Sequence, residues 1–222
     1  MNKLRSTKMK KLLLCILFVL PLAIAVCQAQ KTSYDLSKLF AGHKLGVLSG
    51  DTIKILNDGQ YNGVTCSGIA WITDASFTTG TIDVDFRGRD VVQQSFIGIA
   101  FHGADNKTSE CVYFRPFNFQ TNDTLRGKHM VQYMNEPTYP WDRLRKENPL
   151  VYENTIEHAP DPKNWLHAHI VVTADQVTVF VNHSTKPSLK VTRLNKSNSG
   201  RIGLWDNGYA GDFANLVIVN DH

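Results

Sequence analysis

Helical periodicity is nearly absent from this chain, which argues against an all-α fold. Past residue 29 only Trp141–Glu147 reads as a turn or two of helix. Cysteine is scarce as well. Of four, Cys15 and Cys27 lie near the N-terminus, leaving Cys66 and Cys111 with no CxxC spacing. Parity and an oxidising compartment would permit a disulfide, and the apolar strand context of both residues equally fits two buried thiols. No Gly/Ser linker, charge block or repeat divides the sequence. Only one apolar run is long, LLLCILFVLPLAIAV at 12–26. Pro21 interrupts it, and it is short for a bilayer span.

That run is part of a leader. Lys3, Arg5, Lys8, Lys10 and Lys11 form a basic region before it, and Cys27-Gln28-Ala29 ends in a small residue. The pattern predicts a secretory signal over 1–29, cleaved after Ala29, and therefore export to the periplasm or beyond. A lipoprotein acylated at Cys27 is the alternative, although Val26 suits that signal poorly. Taking the five leader cations from the 24 Lys and Arg leaves 19 against 20 Asp and Glu. A chain near neutrality with no basic stripe argues against nucleic acid as a partner. The remainder, 30–222, is long enough for one well-filled core and is expected to be a single domain.

Strand signals dominate it. Ile82, Val84 and Phe86 alternate with Asp83, Asp85 and Arg87. Ile97, Ile99 and Phe101 alternate with Gly98, Ala100 and His102. Val112 and Phe114 alternate with Tyr113 and Arg115, and Val177, Val179 and Val181 alternate with Thr178, Phe180 and Asn182. A period of two marks strands with one covered face. Further strands are expected at 52–56, 69–72, 130–134, 167–173, 189–193, 201–205 and 213–219. The turn Thr173–Gln176 makes 166–181 a hairpin, and 200–220 reads as a strand, a polar loop and a final strand. Eleven or twelve short strands argue for an all-β, two-sheet antiparallel sandwich. Residues 135–163 break the pattern with five prolines. They read as a functional loop or as a cover for an edge strand.

GTIDVDF, SFIGIAFHG, CVYFRPFN, WLHAHIVV, VTVFVN and GRIGLW…FANLVI, in that order, resemble the concanavalin A-like lectin/glucanase superfamily over roughly residues 33–219. Secreted bacterial domains similar to family 16 glycoside hydrolases or 3-keto-disaccharide hydrolases are the nearest in character. The resemblance implies a jelly roll and a saccharide ligand. Family 16 glucanases carry an E-x-D-x-x-E strand, which this chain lacks. Its only glutamates are Glu110, Glu136, Glu147, Glu153 and Glu157. Asp83 and Asp85 share an outward face, where alternating charge usually meets solvent. A catalytic pair would have to come from distant segments at a separation of about 5–9.5 Å.

The richest segment is ECVYFRPFN, 110–118. Tyr113 and Arg115 share the polar side of their strand, and Pro116 leads to Asn118. An aromatic face, a guanidinium and an amide suit a sugar, while an Arg ion-paired in the core is the alternative. Gln132, a mid-strand amide, and His102, beside small Gly98 and Ala100, extend the candidate surface. Either could be purely structural. Tyr139 and Trp141 would supply a stacking platform or anchor their loop, and Trp205 is a platform or a core residue. Glu110, Glu136 and Asp142 are the candidate acid and base. His167 and His169 have metal spacing without a third ligand. Asp206, Asn207 and Asp212 could hold a structural calcium through oxygen ligands.

Three readings follow: a glycan-active hydrolase, a non-catalytic sugar-binding module on the same surface, and a cell-envelope interaction domain.

Overall fold

The structure, a computed structural model, describes residues 29–221. Residues 1–28 of the expected leader, with Cys27, lie outside it. Among the described residues no helix is long and apolar enough to cross a membrane.

Among the described residues thirteen antiparallel strands carry the fold. They are β1 (Gln30–Tyr34), β2 (Leu45–Val47), β3 (Ile53–Ile55), β4 (Gly63–Phe77), β5 (Thr79–Arg87), β6 (Ser95–Gly103), β7 (Ser109–Phe114), β8 (Val131–Glu136), β9 (Glu153–Asn154), β10 (Leu166–Val172), β11 (Gln176–Val181), β12 (Leu189–Thr192) and β13 (Gly200–Asp221). One layer runs β12-β11-β10-β5 and the other β6-β7-β8-β9. β13 belongs to both. Its Arg201–Gly208 half pairs β6, and its Asp212–Asp221 half pairs β5. β4 follows it across both layers, with a register shift between Asp206 and Gly211. Such irregularities let a strand bend from one sheet into another.

The alternation in the sequence is the alternation of burial. β5 is buried at every second residue, with Ile82, Val84 and Phe86 facing the inter-sheet core. Ile97, Ile99 and Phe101 meet them from β6, and Ile202 and Leu204 from β13. Phe86 packs on Phe114 and Phe213 at ring distances of 5.5 and 5.7 Å.

Three sequence expectations change. Residues 200–220 form one bent strand, not two strands and a loop, because β6 pairs it through Asn207 and Gly208 and β4 resumes pairing at Gly211, which leaves little of the expected loop unpaired. A helix, α1 (Leu36–Ala41), starts on an Asp35 cap that accepts from the Lys38 backbone N–H, and it buries only Leu36. A single buried residue leaves no periodic stripe to read. β4, at 15 residues, is nearly four times the length of the Ile69–Ile72 signal, since β13 pairs it at both ends and β3 pairs Val64–Cys66 from the other side. The 135–163 segment covers the edge of β8. It supplies an edge strand, β9, and a helix, α2 (Trp141–Glu147), laid against the outer side of the second layer.

Candidate functional site

The second layer is buried on both faces. β7 has no exposed residue, and β8 is buried through Asn135. The outward face carries a single register row across five strands: Trp205, Gly98, Tyr113, Gln132 and Glu153 stand opposite one another in turn. Residues opposite in antiparallel strands share a face, so these side chains meet. Leu144 of α2 packs on Cys111, Tyr113 and Met134 beside that row. The helix and the 3-10 turns Pro116–Asn118 and Arg126–Lys128 stand around it as walls.

They leave a groove of ≈ 570 Å³. Phe96, Tyr113, Phe117, Trp141 and Trp205 supply its aromatic surface. Trp141 is 47 % exposed, so it offers a ring face to solvent, and Leu144 is the helix's anchor. Tyr113 and Trp205 sit 5.1 Å apart, ring to ring.

Its floor is polar and tightly bonded. The Arg115 guanidinium donates to Tyr113 Oη at 2.6 Å, to Gln132 Oε1, and to the His129 carbonyl at 3.2 Å. Tyr113 in turn donates to Gln132 Oε1 at 2.7 Å. Glu153 accepts two bonds from Arg145, at 3.1 and 2.7 Å, and lies 3.6 Å from Arg115. His129 Nδ1 is 2.8 Å from Glu153, out of line for a hydrogen bond. Burial opposes ionisation of Glu153, but Arg145 holds its carboxyl below the ordinary value. Asn118 donates to the His129 carbonyl at 2.9 Å and accepts from Arg126 at 3.0 Å.

Of the residues named from sequence, Tyr113, Arg115, Asn118, Trp141, Trp205, Glu136 and Asn207 line the groove. Gln132 lies fully buried beneath it, and Tyr139 packs in the neighbouring apolar cluster. Asp142 is exposed and raises the Glu136 pKa from close by, after burial, which raises it most.

His102 and Glu110 go elsewhere. Glu110 shares the parity of Val112 and Phe114, so it points into the sandwich and is fully buried. Arg193 donates to it at 2.9 and 3.1 Å, Tyr133 donates at 2.6 Å, and His102 Nδ1 lies 2.5 Å away. His102 has φ +51°, a break in the alternation that turns it inward, and its Nε2 faces the Thr78 carbonyl. Both residues are therefore corrected from the candidate surface to a sealed core network.

The calcium set also separates. Asp212 is held by Arg87, Arg89 and Thr65. Asp206 faces the interior, where burial pushes its carboxyl up to about 8, and a protonated carboxyl is a poor cation ligand. Asn207 is exposed on the groove side. Among the described residues no three acidic, His or Cys side chains are placed to hold a metal. His167 and His169 bond Asp85 and Asp83, each at 2.7 Å, across β10 and β5. Cys66 and Cys111 are free thiols, one in the inter-sheet core and one under the groove.

Sequence reasoning missed Phe96, Phe117, Arg126, His129 and Arg145. Phe96 shares Gly98's parity on β6 and was legible as an outward aromatic. The others come from turns and a helix whose placement no periodicity encodes.

No family model matches the chain, and no curated protein matches it. Solved structures do. The carbohydrate-binding module CBM66 from Bacillus subtilis superposes with a TM-score of 0.51 at 15 % identity, over 75 % of this chain and 93 % of that one. The fold is a concanavalin A-like jelly roll. A Bacillus subtilis protein with a galectin-like fold gives a TM-score of 0.53 at 9 % identity, over 88 % and 100 % of the two chains. At these identities the likeness of the jelly roll is one of backbone alone.

Proposed function

We propose that this protein binds a saccharide in the groove above the Trp205–Glu153 row, as a non-catalytic module. The observation that carries the reading is the lining itself. Ring faces at Trp141, Trp205 and Phe96 surround hydrogen-bonding groups at Arg115, Asn118 and Asn207, with a single lining carboxyl at Glu136. Sugars need that mixture, since their C–H faces stack on rings while hydroxyls seek fixed donors and acceptors. The similarity to a module named for carbohydrate binding agrees with it. Glycoside hydrolysis asks for two carboxyls facing one bond. Glu110 is sealed in the core, Glu153 is committed to Arg145, and Asp142, although close enough to Glu136 to raise its pKa, does not line the groove, so Glu136 faces it without a second carboxyl. The basic, apolar leader supports export, which would present the groove to external glycans.

A hydrolase remains the second reading because of Glu136. Burial and Asp142 raise its pKa, the direction a general acid needs. A glycan array followed by calorimetric titration tests both. Binding that is lost in Trp205→Ala, with no release of reducing ends, supports the module. Turnover abolished by Glu136→Gln would replace it with the hydrolase, and absence of binding to any glycan would withdraw the groove as a sugar site.

A further inference from the structure

The groove holds more cationic groups than its carboxylates satisfy. Glu153 alone faces two guanidiniums, Arg145 at 2.7 Å and Arg115 at 3.6 Å, with the His129 ring, whose pKa burial lowers, 2.8 Å away. Arg115's hydrogen bonds all go to neutral oxygens, those of Tyr113, Gln132 and the His129 carbonyl. Arg126 is similar. Its Nε donates to Asn118 Oδ1 at 3.0 Å and its Nη2 to the Phe117 carbonyl at 2.7 Å. Among the described residues no carboxylate lies within ion-pair distance of Arg126. Asp123, the nearest acid in sequence, accepts its backbone N–H. These two arginines are joined through one bridge, because Arg115 and Asn118 both donate to the His129 carbonyl while Asn118 accepts from Arg126. Both line the groove. Arg126 is held by neutral partners alone, and Arg115 shares Glu153 with Arg145, so both have charge left for a ligand, and a planar fork of donors fits an oxyanion better than it fits a hydroxyl.

Resting on the saccharide reading above, we propose that the preferred ligand is an acidic saccharide, its carboxylate or sulfate ester seated at the Arg115–Asn118–Arg126 end of the groove. Phe96 and Phe117 flank that end. Phe117 lies 5.9 Å below the Arg126 guanidinium and Phe96 lies 5.8 Å from that of Arg115, so both cations are already stacked and oriented before a ligand arrives. The one lining carboxyl, Glu136, has its ionisation opposed by burial and by Asp142, which limits its repulsion of an anion.

The test uses matched pairs in which only the charge differs. One arm compares oligogalacturonate with its methyl ester, and the other compares a heparin-derived oligosaccharide with its desulfated form, both by calorimetry. In at least one arm the acidic member should bind about tenfold tighter than its neutral partner. The preference should shrink as ionic strength rises. It should be lost in Arg126→Gln and retained in Arg126→Lys, which keeps the charge, with thermal melts recorded for both. Equal affinity for acidic and neutral members, or a preference that survives Arg126→Gln in a folded protein, overturns the inference and leaves the saccharide reading intact. If no acidic member binds, the inference also falls. A parallel panel of neutral glycans then decides whether the saccharide reading falls with it.

Discussion

Tyr113 and Trp205 meet across the space that Gly98 leaves. The three residues stand in one register row on β7, β6 and β13, and the two rings approach to 5.1 Å. A Cβ on Gly98 would collide with the Val112 carbonyl and with Cα and Cβ of Tyr113. The smallest residue of the row therefore sets the geometry of the two largest. Gly98→Val should force the strands or rings apart, at a cost of about 3 kcal/mol, the upper end for added atoms in a packed site. Thermal melts and tryptophan fluorescence check this. An unchanged melt with unshifted emission would show that the row has slack.

The Glu110 network is expected to behave as structure. Glu110→Ala leaves Arg193 buried with one carboxylate fewer and should cost about 3–5 kcal/mol. For a domain of this size that lowers the melting temperature by about 6–20 °C. A variant that melts like wild type would return Glu110 to consideration as a functional group.

The histidine pair on the outer face of β10 gives a signed pH dependence. Hydrogen bonds donated to Asp83 and then to Asp85 push the His167 pKa up to about 9 from an ordinary 6.5. The folded value is raised, so the stabilisation is full below about pH 6.5 and is lost as pH climbs through about 9. The difference in melting temperature between wild type and His167→Gln should be largest at the acid end of that window and vanish above it. A difference that grows with pH would reverse the sign and the assignment.

Leu144 is the residue that holds α2 on the sheet, buried among Cys111, Tyr113 and Met134. Leu144→Ala should cost roughly 2–3 kcal/mol, near the lower end for such truncations because a short helix can settle or detach. Hydrogen exchange should then speed up over 141–148 while β5 and β10 stay protected. Ligand affinity should fall with it, since Trp141 rides on the same helix. Uniform loss of protection would mean that α2 belongs to the global core.

Much of the fold could be read from residue order alone. The period-two runs at Thr81–Arg87, Phe96–His102 and Val177–Val181 each fall on a strand with the expected face inward. The site was legible in part for the same reason. Tyr113, Arg115, Gln132 and Trp205 do share one outward side, because strand parity is a local property that a neighbour cannot alter. What the parity concealed is that this side is covered. Arg115 is only 4 % exposed, since α2 and two 3-10 turns close over it.

His102 and Glu110 mark the boundary of that legibility. Glu110 had the parity of the core residues Val112 and Phe114, and its charge argued against an interior place. Burial is tolerable only because Arg193, 83 residues away, arrives with two hydrogen bonds, and Tyr133 with a third. His102 follows a backbone turned to φ +51°, which no alternation foretells. By itself the sequence determined an all-β chain, its strand faces and most of the aromatic lining, because side-chain alternation is written residue by residue. Only the tertiary structure decided which charges meet. Whether a carboxylate is a groove wall, a buried counter-ion or a lone acid depends on partners brought from distant segments, and on the desolvation that their packing imposes.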